Sequence, residues 1–180
     1  MSDDWLVRTR LLVGDACVAR LRSSHVLLAG VGGVGGHVAE AVARAGIGRI
    51  TLIDMDQVAL SNLNRQLVAL RSTIGLSKAE VMRNRILEIN PACEVVVMSQ
   101  MICHDAHDLL QQICPDYLVD AIDSVNCKVA LLLSANQLSI PTFSSMGAGR
   151  RLDVRAVQVC DLMQTSGCAL ARVVRQRLRK

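Results

Sequence analysis

The chain has 180 residues, 51% of them hydrophobic, with a mean hydropathy of +0.34 and a formal net charge of +4. That length supports one domain with a real core. No apolar run approaches the roughly 18 to 20 residues of a membrane helix, and the start Met1-Ser2-Asp3-Asp4 is acidic with no apolar signal segment. A soluble cytoplasmic protein is expected, with no membrane partner.

Apolar stretches of about five residues alternate with helical-period stretches of about 10 to 14, the rhythm of repeated βα units. An N-terminal helical arm is expected over 1–24. Strands are expected near 26–29, 49–53, 94–98, 117–120, 142–145 and 157–160. Helices are expected near 35–45, 77–89, 105–112, 125–138 and 169–178. Ser77-Lys78-Ala79-Glu80 reads as a capping box, and Pro91 follows the helix it cannot continue. The fold class is therefore α/β: a Rossmann-like, doubly wound, mostly parallel sheet with helices on both faces.

The first βα turn carries chemistry. Gly30-x-Gly32-x-x-Gly35, with Gly33 inside it, comes directly after an apolar strand and opens a helix. In that context glycines give a tight turn, close approach of backbone to phosphate, and close packing of helix on strand. Asp54 ends the second strand, 24 residues after Gly30, where a carboxylate can accept hydrogen bonds from ribose hydroxyls.

The following stretch separates ATP from NAD. Hydride transfer needs an uncharged nicotinamide pocket, whereas adenylation needs cations on a triphosphate and a carboxylate for Mg²⁺. Ser61-Asn62-Leu63-Asn64-Arg65-Gln66 supplies amides and a guanidinium, and Lys78 stands at the first turn of the capped helix. Asp120-Ala121-Ile122-Asp123-Ser124 ends the fourth strand. In a parallel sheet these segments share the ligand edge. ATP and Mg²⁺ are the expected cofactors.

The seven cysteines (17, 93, 103, 114, 127, 160 and 168) form no C-x-x-C pair. They are expected to be reduced thiols, mostly packed in the core, with no zinc. Residues 150–180 hold eight Lys/Arg against two Asp/Glu, a basic tail suited to a polyanion such as RNA. The only aromatics are Trp5, Tyr117 and Phe143, too few for a base-stacking platform.

In order, G-x-G-G-V-G, D-M-D, S-N-x-N-R-Q, K-A-E and D-A-I-D-S resemble the ThiF/MoeB family, bacterial relatives of ubiquitin-activating (E1) enzymes. The resemblance covers nearly the whole chain as a single ATP-binding domain, 1–180. It implies activation of a carboxylate as an acyl-adenylate. It makes Asp54 the ribose ligand, with Asp56 beside it, and gives Asn62, Arg65, Gln66 and Lys78 to the nucleotide and its phosphates. Asp123 becomes the Mg²⁺ ligand, and Arg8 reaches the γ-phosphate of a neighbouring subunit, which implies a homodimer. Arg8, Arg65, Lys78 and Asp123 are the expected catalytic set.

Within the family, the segments around Trp5-Leu6-Val7-Arg8-Thr9, Asp120–Ser124 and Ala169-Leu170-Ala171-Arg172 are most similar to the tRNA threonylcarbamoyladenosine dehydratase branch. That implies cyclisation of N6-threonylcarbamoyladenosine at position 37 of tRNA, and admits a cysteine desulfurase or sulfur-acceptor system as a partner. The alternative is adenylation of the C-terminal glycine of a ubiquitin-like sulfur carrier. Family members are longer, so a C-terminal portion is expected beyond the basic tail.

Overall fold

The computed structural model describes residues 4–149 and 152–179. Residues 1–3 and, from the basic tail, Arg150, Arg151 and Lys180 lie outside them. Helix α1 (Val7–Ser23) is broken at Gly14, whose φ of 81° lies in the left-handed region. The repeat then runs β1 (His25–Ala29), α2 (Gly35–Arg44), β2 (Arg49–Ile53), α3 (Lys78–Ile89) and β3 (Glu94–Met98). It continues through α4 (Ala106–Ile113), β4 (Tyr117–Asp120), α5 (Val125–Gln137), β5 (Thr142–Ser144) and α6 (Ala169–Leu178). The five strands are all parallel, in the order β3-β2-β1-β4-β5.

The strands read as unbroken apolar runs because both sheet faces are covered. Val26, Leu28, Ile50 and Leu52 face one way, into a core built with Ala39 and Ala43 of α2 and Ala79, Met82 and Ile86 of α3. Leu27, Ala29, Ile53 and Leu118 face the other way, against Leu109 and Leu110 of α4 and Leu131 and Ala135 of α5. The sheet is therefore doubly wound. The order reverses between β1 and β4, and the crevice there, outside the strands' carboxyl ends, is where such folds bind ligands.

Helix α3 starts as its cap dictates: Ser77 Oγ accepts the Glu80 N–H at 3.5 Å. It stops at Ile89, two residues before Pro91.

Two expectations are corrected. Residues 157–160 form no strand; Val157 and Val159 are 79% and 94% exposed, and the apolar alternation there finds no sheet edge among the described residues. The thiols are also not uniformly reduced and packed. Cys103 and Cys127 form a disulfide, while Cys17, Cys114 and Cys160 are exposed. The pair arises because the loop after β3 lies against the start of α5, a contact between elements that sequence spacing does not reveal. Cys93 is buried, and burial pushes its thiol up to about 11, which makes it inert.

His25 opens β1 with its ring buried and Nε2 2.9 Å from Thr51 Oγ1. Burial, reinforced by the Arg49 charge, holds its pKa below the ordinary value. The unfolded chain then takes up a proton near pH 6.5 that the folded chain refuses. Stability is therefore complete above about pH 6.5 and falls as pH drops through that value. Thermal melts from pH 7.5 to 5 should show this slope flatten in His25→Asn; an unchanged slope would assign it to other groups.

Candidate active site

Each strand end on the crevice side delivers part of one cleft of about 830 Å³, within the range of small-molecule sites. The Gly30 turn leaves β1 with φ of 90°, its N–H donating to Ile53 O at 2.8 Å. A Cβ on Gly30 would lie 2.9 Å from Ala121 O, so the turn and the loop after β4 touch through backbone. Gly35 has a different task. A Cβ there would come within 1.8 Å of Gly30 O, so this glycine lets α2 sit on the strand and does not itself line the cleft. Gly32 and Gly33 do line it, and side chains there would meet only Gln66 and Arg65 at ordinary contact distance.

Asp54 leaves β2 pointing back at the turn. Its Oδ2 accepts the Val31 N–H at 2.6 Å and its Oδ1 accepts the Asp56 N–H at 2.8 Å. The carboxylate thus holds the glycine turn and begins the next loop, with lone pairs left over for hydroxyls. In that loop Asp56 Oδ2 takes Lys78 Nζ at 2.7 Å. Lys78 is only 6% exposed although it lines the cleft, so its ammonium is aimed by the first turn of α3 and held by one carboxylate.

Asn62 is buried on a short 3₁₀ turn (Leu60–Asn62) and uses Oδ1 to accept the Ala59 N–H at 2.9 Å, which leaves its amide N–H groups as the donors to offer a ligand. Arg65 is exposed at the cleft, with Nη1 donating to Ser61 O and Asn64 Oδ1. Gln66 Oε1 is buried without a hydrogen-bond partner, the single such side-chain atom among the described residues. Leaving a buried acceptor unmade is costly. An acceptor in that state, beside Gly32 where the turn leaves open space, fits a site completed by a polar ligand.

Asp123 lies exposed on the loop between β4 and α5, on the opposite wall. The cleft therefore gathers Gly30, Gly32, Gly33, Asp54, Asp56, Asn62, Arg65, Gln66, Lys78 and Asp123. It does not gather Arg8, which is exposed on α1 and takes no part in this chain's own cleft. A second, smaller cleft of about 590 Å³ beside Trp5, Arg44 and Glu88 lacks any strand-end loop and has no comparable chemistry.

Some of the wall was missed from sequence. Gln100, Met101 and Ile102 follow β3, residues 145–149 follow β5, and Leu170 comes from α6. Their only signal is position: each follows a parallel strand or abuts a loop that does. Cys127 lines the cleft as well, so the disulfide joins the β3 wall to the start of α5. Peptide mapping without reductant should recover Cys103 linked to Cys127 while Cys17, Cys114 and Cys160 are alkylated. Alkylation of all five would overturn the pairing.

A glycine turn at a helix N-terminus, a strand-end carboxylate and cations at the switch point of a parallel sheet define a nucleotide-binding α/β domain. More narrowly, the chain belongs to the ThiF family, whose model matches residues 6–179. It is 43% identical to the tRNA threonylcarbamoyladenosine dehydratase of Escherichia coli strain K12 over 182 residues, covering 99% of this chain and 68% of that protein. Against the Bacillus subtilis strain 168 protein of the same name the identity is 40%, covering 96% of this chain and 68% of the other. The crystal structure of the E. coli dehydratase in complex with ATP superposes with a TM-score of 0.94 at 43% identity, covering 99% of this chain and 75% of that one. The chain thus spans about two thirds of the length of these two bacterial dehydratases.

Proposed function

We propose that this chain is an ATP-dependent adenylating enzyme whose substrate is the threonylcarbamoyl carboxylate of N6-threonylcarbamoyladenosine at position 37 of tRNA, which it cyclises with loss of water. The observation that carries this reading is a single cleft lined by the glycine turn, Arg65, Lys78 and the Asp123 carboxylate, in a chain 43% identical to a tRNA threonylcarbamoyladenosine dehydratase. In the first step a carboxylate oxygen attacks the α-phosphorus of ATP and pyrophosphate leaves. In the second a nucleophile of the same side chain attacks the acyl carbon and AMP leaves.

The residues divide the work by charge. Backbone N–H groups of residues 32–35, at the turn and the α2 N-terminus, face phosphate oxygens, while those of Gly30, Val31 and Gly36 are spent inside the protein, and Asp54 accepts from the ribose hydroxyls. Asn62, Arg65 and Lys78 meet the charge that grows on the departing pyrophosphate, with Lys78 held in place by Asp56. Gln66 Oε1 finds its missing donor on the bound nucleotide. Asp123 is the carboxylate for Mg²⁺; one protein carboxylate facing phosphate oxygens and water is a donor set that suits this ion. When bound, Mg²⁺ supplies charge neutralisation at the triphosphate.

Two partners follow. Exposed Val7, Leu11 and Leu12 on α1 form an unpartnered apolar stripe beside Arg8, which supports a homodimer in which Arg8 completes the neighbour's site. Exposed Arg172 and Arg177 stand on α6, the helix whose Leu170 lines the cleft, exposed Arg179 follows it, and together they supply positive charge beside the reacting group for the tRNA backbone. A cytoplasmic setting and a cysteine desulfurase or sulfur-acceptor system accord with this reading. No helix among the described residues is long and apolar enough to cross a membrane.

Nucleoside mass spectrometry tests the proposal. Threonylcarbamoylated tRNA incubated with the protein, ATP and Mg²⁺ should yield the cyclic, water-loss nucleoside and AMP. A nucleoside of unchanged mass would sink the tRNA reading, and ATP–pyrophosphate exchange seen only with a ubiquitin-like carrier would put the sulfur-carrier reading in its place.

A further inference from the structure

Behind the cleft, and outside every role assigned so far, sits a buried ion pair. Lys128 of α5 and Asp120 at the end of β4 both have side chains that are 0% exposed, with Nζ 2.7 Å from Oδ2. The rest of the ammonium is satisfied as well: Nζ donates to Ser145 O at 3.0 Å and to Ser144 Oγ at 3.4 Å. Ser144 Oγ donates to Asp120 Oδ2 at 2.5 Å, and Asp120 Oδ1 accepts the Ile122 N–H at 3.2 Å. The backbone reinforces the same junction, Ser145 N–H donating to Asp120 O at 2.8 Å.

Stability alone does not account for this arrangement. Burying two charges forfeits their hydration, and a well-packed apolar pair of similar volume is commonly as stable or more so. On the buried side of α5 Leu131 and Ala135 are apolar and Ser134 returns its hydroxyl to Ala130 O, so such a replacement would find suitable neighbours. What the ion pair supplies, and leucine or methionine cannot, is direction. Its hydrogen bonds fix three segments to one another: the end of β4 with the 121–124 loop, the first turns of α5, and residues 145–149 after β5. All three segments contribute to the wall of the cleft, α5 through Cys127, and the first carries Asp123. Neither Lys128 nor Asp120 lines the cleft itself.

We infer that Lys128 is a positioning residue, which acts through Asp120 and the Ser145 carbonyl to hold Asp123 at the distance from the phosphate turn that a Mg²⁺–triphosphate requires. This deepens the adenylation reading and rests on it. Ala121 is itself tied to β1, its N–H donating to Ala29 O at 2.8 Å, so a sub-ångström drift of this loop falls on its 122–124 end, while Asp54 and Lys78, at the end of β2 and the start of α3, share no hydrogen bond with it. Binding of metal-free nucleotide and binding of metal therefore separate in this protein. The ion pair governs only the second.

The test is calorimetric titration of ATP with and without Mg²⁺, on the wild-type chain and on Asp120→Leu/Lys128→Met, which removes both charges and leaves neither unpaired. The double variant should bind metal-free ATP within about twofold of wild type while the gain in affinity from Mg²⁺ falls about tenfold or more, the usual effect of removing support behind a metal ligand. Ser144→Ala, which strips one bond from the cage without exposing a charge, should move the same quantity by less, and serves if the double variant fails to fold. An undiminished Mg²⁺ gain in a folded variant overturns the inference and leaves the pair as scaffold. Equal loss of metal-free and metal-bound affinity overturns it too, since that marks general damage to the cleft. A wild-type chain that binds no ATP would instead refute the adenylation reading itself, a result distinct from both.

Discussion

Replacing Asp123 by alanine is expected to stop acyl-adenylate formation while leaving the fold and the melting temperature of the protein unchanged. The side chain is exposed on the loop before α5 and makes none of the hydrogen bonds that secure that loop, which run instead through Asp120. Truncating it should therefore alter stability by no more than about 0.5 kcal/mol. On the proposed reading its loss removes the carboxylate for Mg²⁺, whose charge at the reacting phosphate is worth several kcal/mol. At 1.36 kcal/mol per factor of ten, adenylation should fall by about a hundredfold at least. Pyrophosphate release in a single-turnover assay, with a parallel thermal melt, reads both quantities. Full activity would remove Asp123 from the metal site, and unfolding would make it structural.

The same variant tests the proposed dimer, in which Arg8 completes the neighbour's site. Arg8→Ala keeps Asp123 but lacks the arginine it lends, whereas Asp123→Ala keeps the arginine and lacks the metal ligand. In a mixture of the two, half the dimers are mixed and one site in each is whole, so about a quarter of wild-type activity should return. Mixtures as inactive as their components would show that Arg8 works within its own chain or not at all.

Much of this was legible in the sequence, and for identifiable reasons. The strands β1 to β4 are short, mostly apolar runs, β1 and β2 buried on both faces and β3 and β4 partly so, and such runs stand out from the polar loops around them. The cleft residues before residue 80 could be read because each sits at a fixed offset from a strand end or helix cap. The strand expected at 157–160 failed because alternation of apolar and polar residues specifies a pleat but not a neighbour to pair with. Cys103–Cys127 and Lys128–Asp120 stayed hidden for a related reason. The first joins loop to helix across 24 residues. The second is a lysine on a buried helix face, whose meaning depends on what lies against it.

The glycine turn makes the division between fold and ligand testable, because its glycines should fail in different ways. In Gly35→Ala the new Cβ would sit 1.8 Å from Gly30 O and 3.2 Å from the Ala121 side chain. Gly30 has little room to retreat, since its own N–H is bonded to Ile53 O and its Cα packs against the backbone of Ala121 in the loop after β4. Overpacking against backbone of this kind should cost about 3 kcal/mol or more, seen as a large fall in melting temperature or as insoluble protein. In Gly32→Ala the nearest heavy atom is Gln66 Nε2 at 3.8 Å, and the fold has room for the methyl group. Stability should hold to within about 0.5 kcal/mol. The methyl group instead occupies the approach of phosphate to backbone N–H groups, so ATP affinity should fall by about tenfold or more, a loss of at least about 1.4 kcal/mol. Thermal melts and calorimetry on the two variants separate these outcomes. If Gly32→Ala bound ATP as tightly as wild type, the phosphates would have to lie elsewhere in the cleft, and the roles given to Arg65 and Lys78 would fall with the turn.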